Sequence, residues 1–218
     1  MTTVESRAPV QPGEPAPNFT LPAVDRDGTV SLSDYRGKNP LLLAMFRGLW
    51  CPFCRRAIAQ MGVTRQKLQS LGVETLGVVA TTPENARLYF KYRPTRVPLA
   101  ADPELITHRS FGLPKPAVTP ELLRALQDVR SNPTGELPEP VPLAELGGAL
   151  DRLHGFQRTE TDQADLERQY PQLKGQFLVD RDGIVRWVNI ECAKEGLAGL
   201  GKFPTDEELV SAARLLST

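Results

Sequence analysis

The chain has 218 residues, 40% hydrophobic and 24% charged, an ordinary globular composition that suits one domain or one domain with a large insertion. Its 26 basic and 26 acidic side chains cancel, so charge argues against nucleic acid or an anionic membrane as partner. No apolar run reaches the ~18 residues of a membrane span, and residues 1–17 lack the apolar core of a secretion signal; the expectation is a cytoplasmic protein with reduced thiols.

Residues 1–17 read as a loose N-terminal arm, because Pro9, Pro12, Pro15 and Pro17 forbid a helix. Residues 19–24 read as a strand leading to Asp27-Gly28, a hairpin signal in which glycine supplies a positive φ. Residues 41–46 are a short unbroken apolar run, as a strand buried on both faces requires. After Cys51 the period changes. Cys54, Ile58, Met61, Leu68 and Leu71 recur at helical spacing, and Gly72 stands where a C-terminal cap belongs. Cys51 therefore falls at a strand-to-helix junction. Residues 73–80 read as a second buried strand, Thr82-Pro83-Glu84 as a cap, a first-turn proline and a first-turn acid, and 97–101 as a weak strand.

Thr119-Pro120 opens a helix carrying Leu122, Leu126 and Val129, and residues 133–142, with four prolines, predict an extended loop. Helical patterns follow at 143–153 and 161–170. The stretch of about 114–170 reads as a helical insertion that covers an active site, makes a subunit contact or merely decorates the surface. Residues 176–179, Asp182-Gly183 and 184–190 predict a second hairpin, and Val-Asp-Arg-Asp-Gly, which occurs at both Val24 and Val179, is repeated turn chemistry. Thr205-Asp206-Glu207-Glu208 is a capping box opening a last helix with Leu209, Ala212, Ala213 and Leu216 on one face. The strand–helix–strand alternation predicts an α/β domain over 18–218, a central mixed sheet flanked by helices.

The chemistry concentrates at Cys51-Pro52-Phe53-Cys54. Three cysteines are too few for a disulfide framework, and a CxxC pair opening a helix after a buried strand points to redox chemistry. A thiol reacts as its thiolate, and free cysteine titrates near ~8.5, so the fold must stabilise the anion. The helix N-terminus offers N–H groups and partial positive charge, Arg47, Arg55 and Arg56 flank the pair, and the Cys54 S–H lies one turn from the Cys51 sulfur. Cys51 is expected to be the exposed attacker and Cys54 the buried resolver. Trp50 and Phe53 are expected to shield the pair, while Pro52 costs the helix no hydrogen bond. Cys192 is a candidate distant resolving cysteine, set against the favoured reading of an ordinary half-buried one. His108 and His154 are unpaired at ligand spacing, so no bound metal is expected, and neither reads as a base. Arg93, Arg96 and Arg109 read as solvated surface and Trp187 as core.

Four stretches, in order, resemble the alkyl hydroperoxide reductase/thiol-specific antioxidant (AhpC/TSA) family, in particular its peroxiredoxin-like branch within the thioredoxin-like superfamily. They are the opening at 13–21, the turn region from Asp27-Gly28 through 32–38, the run 46–54, and the later segments 99–103, Phe111-Gly112 and 177–183. The resemblance implies a thioredoxin-like fold and thiol-dependent reduction of peroxides or disulfides. No cofactor is bound; an external thiol, thioredoxin- or glutathione-type, supplies electrons, and a homodimer is allowed. The alternatives are a disulfide reductase without significant peroxidase activity and a non-catalytic binding module. Peroxiredoxins carry Thr or Ser three residues before the reactive cysteine, where this chain has Gly48, and an Arg before the late strand, where it has Lys174. Thioredoxin's buried acid falls on Met45, its cis-proline has no counterpart beside Gly175 with Pro171 reading as too early, and the Cys-Pro-Phe-Cys dipeptide is glutaredoxin-like.

Overall fold

The computed structural model describes residues 7–216; residues 1–6 of the expected arm and the last two residues of the chain lie outside it. In chain order the elements are β1 (Thr20–Pro22), β2 (Thr29–Ser31), β3 (Leu41–Phe46), α1 (Pro52–Gln69), β4 (Glu74–Val79), α2 (Pro83–Tyr92), β5 (Leu99–Ala101) and α3 (Ile106–Ser110). There follow α4 (Pro120–Asp128), β6 (Arg130–Ser131), β7 (Val141–Pro142), α5 (Leu143–Leu153), α6 (Glu160–Gln169), β8 (Gly175–Val179), β9 (Val185–Ile190) and α7 (Asp206–Arg214).

A five-stranded sheet in the order β5-β4-β3-β8-β9 organises the chain. β3 pairs parallel with β4 and antiparallel with β8, so the sheet is mixed, as the alternation and the late hairpin predict. β3 is central, which is why all six of its residues are buried. Strand geometry sends alternate side chains to opposite faces. Leu42, Ala44 and Phe46 join the core that packs under α1 and α7, whereas Leu41, Leu43 and Met45 join a second core with Phe19, Leu21 and Phe111.

Local capping fixes the helix starts. The hydroxyls of Thr82, Thr119 and Thr205 each accept the N–H three residues on, as their sequence contexts predict. Gly28, in the β1–β2 turn, has φ +91°, a conformation that favours glycine.

The N-terminal arm differs from its expectation. Val10 is fully buried, the N–H groups of Gly13 and Ala16 donate to Val185 and Gly183, and Pro15 bridges to Ile184. Proline forbids a helix but not an extended edge pairing, and the free N–H groups lie between the prolines. Residues 13–16 are therefore laid along the β8–β9 turn and the start of β9, while Val10 donates its N–H to the Phe111 carbonyl just after α3. Among the described residues no helix is long and apolar enough to cross a membrane.

Candidate active site at the head of helix α1

Cys51 is the N-cap of α1, reached by a four-residue step from the end of β3. Pro52 occupies the first helical position, where its missing N–H is an orphan in any case. The Cys51 sulfur accepts the backbone N–H of Cys54 at 3.3 Å and the Nε–H of Arg47 at 3.4 Å. The Cys54 thiol also donates to it.

Arg47 is held rigidly. Its two terminal nitrogens bind the Glu191 carboxylate at 3.0 and 3.2 Å, and one of them also donates to the Gln172 carbonyl at 3.0 Å. The N–H groups of Gly201 (2.8 Å) and Lys174 (3.3 Å) donate to Glu191 in turn. The Lys174 ammonium, fully buried, lies 3.4 Å from Glu191 and donates to the Lys202 carbonyl at 2.9 Å. Two buried cations and one buried carboxylate leave a surplus positive charge, which a Cys51 thiolate cancels.

Burial alone would raise the Cys51 thiol, but the Cys54 hydrogen bond and the charges of Arg47 and Lys174 outweigh it and hold the thiol down to about 5. Burial drives Cys54 the other way, well above the usual thiol range, reinforced by its hydrogen bond to Cys51 and by the thiolate's charge. Burial would likewise raise Glu191, but Arg47 and Lys174 hold it below the usual carboxylate range. The pair is thus asymmetric, with the Cys51 thiol lowered and the Cys54 thiol raised. Between about pH 5 and the ordinary thiol range the unfolded chain binds more protons than the folded one. Stability therefore rises with pH through this window and is lost as pH falls through about 5. Thiolate absorbance near 240 nm should show a midpoint close to 5 in the reduced protein and in Cys54→Ser, and no such step in Cys51→Ser; a midpoint above 8 in the wild type would contradict this electrostatic account.

Several residues that the sequence singles out land elsewhere than expected. Cys51 is not an exposed attacker: only 1% of its surface is accessible. It opens instead onto a cavity of about 360 Å³, walled on one side by Trp50, Pro52 and Phe53 and on the other by side chains from the 114–170 stretch. Leu122 and Leu126 of α4, Leu143 of α5 and Leu166 of α6 form that cover. Of the three readings of this stretch, covering the cysteine site is the one its position supports. Cys54 does not line the cavity.

Of the flanking arginines only Arg47 reaches sulfur. Arg55 donates to the Leu49 carbonyl at 2.8 Å and to Asp151 at 2.7 Å and stacks on Phe156, fastening α1 to the covering segment. Arg56 pairs with Glu136 at the surface. Lys174 makes no hydrogen bond to Cys51; its charge lowers the Cys51 thiol from a distance while its ammonium lies against Glu191.

Gly48 has a steric reason. A Cβ there would come within 2.8 Å of the Trp50 ring and 3.1 Å of the Ala80 carbonyl, so a hydroxyl side chain at this place would displace Trp50. Pro171, which read as too early for a cis-proline, follows a cis Tyr170–Pro171 bond and lines the same cavity as Cys51.

His108 is fully buried and titrates near 4 because burial disfavours its charge, and His154 pairs with Glu136; neither lines the Cys51 cavity. Cys192 has φ +66° and lines that cavity, but burial and Glu191 push its thiol up to about 11. Sequence reasoning missed Glu191, Gln172 and Gln169. The Gln169 amide oxygen accepts both the Gly48 N–H (2.7 Å) and the Trp50 indole N–H (3.0 Å), fixing the approach to Cys51. Among these, only Glu191, an acid directly after an apolar strand, carried any local signal.

The family model for the AhpC/TSA family matches residues 12–188. No curated protein matches in sequence. The fold resembles solved peroxiredoxins. Peroxidoxin BcpB from Mycobacterium tuberculosis is 13% identical with a TM-score of 0.57, over 95% of this chain and 97% of that one. The reduced 2-Cys peroxiredoxin of Plasmodium vivax is 15% identical with a TM-score of 0.61, over 96% and 83%. The mitochondrial 2-Cys peroxiredoxin of Plasmodium falciparum is 14% identical with a TM-score of 0.56, over 95% and 94%. These likenesses support the thioredoxin-like, peroxiredoxin-like fold class, and the family match supports a thiol oxidoreductase in the general sense. With most of its length matched from the N-terminal arm to β9, the chain belongs to the AhpC/TSA family.

Proposed function

We propose that the protein is a thiol-dependent peroxidase in which Cys51 attacks the peroxide and Cys54 resolves the product. The observation that carries this reading is the thiolate at the wall of a covered but part-open cavity, with the Arg47 guanidinium on its sulfur. With 1% of Cys51 accessible, a disulfide on another protein would reach the sulfur only if α4 and α5 moved away, whereas a small peroxide fits the space.

In the first step the thiolate attacks one peroxide oxygen and the O–O bond breaks. That oxygen stays on sulfur as a sulfenic acid, and the other leaves, taking up a proton, as water or an alcohol. Formation of the sulfenic acid removes the negative charge that held the Cys54 proton. Cys54 then attacks the Cys51 sulfur, and the sulfenic oxygen departs as water with the Cys54 proton. An external thioredoxin- or glutathione-type thiol returns two electrons and restores both thiols. A pair that must be reduced between turnovers suits the cytoplasm.

Stopped-flow mixing of the reduced protein with hydrogen peroxide, beside an insulin-disulfide reduction assay, tests the reading. Rapid peroxide consumption with little insulin reduction is the expected result. Insulin reduction without peroxide consumption would transfer the function to disulfide reduction, and inertness in both assays would leave a binding module.

A further inference from the structure

We propose that Gly147 and Gly148, on the covering helix α5, are the specificity-determining residues of the Cys51 cavity, making room for the bulky neutral carbon body of an organic peroxide. The inference rests on the peroxidase reading above and adds to it which substrates the chain favours and which residues choose them.

The cavity's size, about 360 Å³, falls within the ~300–1,000 Å³ range of small-molecule sites. Hydrogen peroxide, close to water in size, would leave most of it empty. Its walls are mainly leucines, prolines and aromatic rings. Besides the Cys51 thiolate, which Arg47 partners, only two charged side chains line it, and both have carboxylate partners: Arg47 with Glu191, Arg158 with Asp151 at 3.0 Å. No unpaired charge awaits a ligand, so a neutral occupant fits.

The glycine pair is the second observation. Two adjacent glycines inside a helix weaken it relative to alanine, because glycine has the most backbone freedom to lose. At Gly77 and Gly175, by contrast, glycine answers a steric demand. A Cβ on Gly77 would meet Leu99 at 2.6 Å, and one on Gly175 would meet Leu113 at 2.4 Å. At Gly147 a Cβ would meet nothing within 4 Å, and at Gly148 only the flexible tip of Arg152 at 3.5 Å. Neither glycine has a positive φ. Packing and backbone conformation therefore leave both positions free for a larger residue. What the missing side chains supply is open space where both residues line the cavity that Trp50 and Cys51 also line.

The test compares wild type with Gly147→Leu, Gly148→Leu and the double Gly147→Ala/Gly148→Ala in two assays. In the first, kcat/KM is measured for cumene hydroperoxide and for hydrogen peroxide. The ratio of the two should fall at least tenfold in the leucine variants and less in the alanine variant, whose thermal midpoint should not fall. In the second, which needs no turnover, 2-phenyl-2-propanol should slow iodoacetamide alkylation of Cys51 in the wild type, followed by mass spectrometry of its peptide, and should protect the leucine variants little. An unchanged ratio, equal protection in the leucine variants or no protection in the wild type would each overturn the proposal. Inertness of every form toward both peroxides, with the alkylation pattern as expected, would instead remove the peroxidase reading while the assignment of the cavity stands.

Discussion

Cys51→Ser is expected to lower peroxide consumption by roughly a thousandfold or more, because a serine hydroxyl offers no thiolate and the remaining groups have no nucleophile to assist. Cys54→Ser should behave differently. Its backbone N–H still caps the Cys51 sulfur, and its hydroxyl can still donate there, so the first reaction with peroxide should stay within a few-fold of wild type. Turnover should then stop after one equivalent, with a sulfenic acid on Cys51 that dimedone traps. Cys192→Ser should turn over normally, since the thiol that donates to Cys51 is Cys54. Loss of turnover in Cys192→Ser together with its retention in Cys54→Ser would move the resolving role to Cys192.

Arg47→Met should produce the second-largest effect, on both rate and stability. Arg47 is 5% exposed and bound to Glu191 through both terminal nitrogens. Without it, Lys174 and Glu191 neutralise each other, and a Cys51 thiolate would stand as an uncompensated buried charge. The Cys51 titration should move from about 5 to at or above the ordinary value near ~8.5. At pH 7 the thiolate fraction then falls from about 99% to a few per cent, and the rate of reaction with peroxide falls by roughly 30-fold or more. Removing one partner of a buried ion pair costs about 3–5 kcal/mol, toward the lower end here because Lys174 still faces Glu191. Arg47→Lys should recover part of the stability and little of the rate, since a lysine lacks the fork that binds Glu191 while pointing a third N–H at sulfur. Urea unfolding, the 240 nm titration and stopped-flow rates decide the matter; a midpoint that stays near 5 in Arg47→Met would remove Arg47 from the account.

What could be read in the sequence was local. β3, the start of α1 at Pro52, the caps at Thr82 and Thr205 and the span of α5 each depend on residues within a few positions of one another. The placement of Cys51 at a strand-to-helix junction followed from the same local change of period. What surrounds Cys51 did not follow, because it comes from far along the chain. Glu191 lies 144 residues from Arg47, and Gln169 lies 121 from Gly48. The exposed Cys51 expected from a helix N-terminus is buried because α4, α5 and α6 cross over it, a tertiary event with no local signature. The arm failed as a loose segment because proline counts say what a segment cannot form, not what edge it can follow.

The buried charge cluster has a consequence for redox poise. It is neutral when Cys51 is a thiolate and carries a surplus positive charge when Cys51 is a sulfenic acid or a disulfide. The protein environment therefore stabilises the reduced form over the oxidised one. That preference raises the reduction potential of a Cys51–Cys54 disulfide, on the order of tens of millivolts at neutral pH, above that of the same pair with an unperturbed thiol. A common cellular dithiol would reduce it readily. In the proposed cycle the arrangement that favours the thiolate would also make its oxidised state easy to clear, so Arg47, Lys174 and Glu191 would act on both halves.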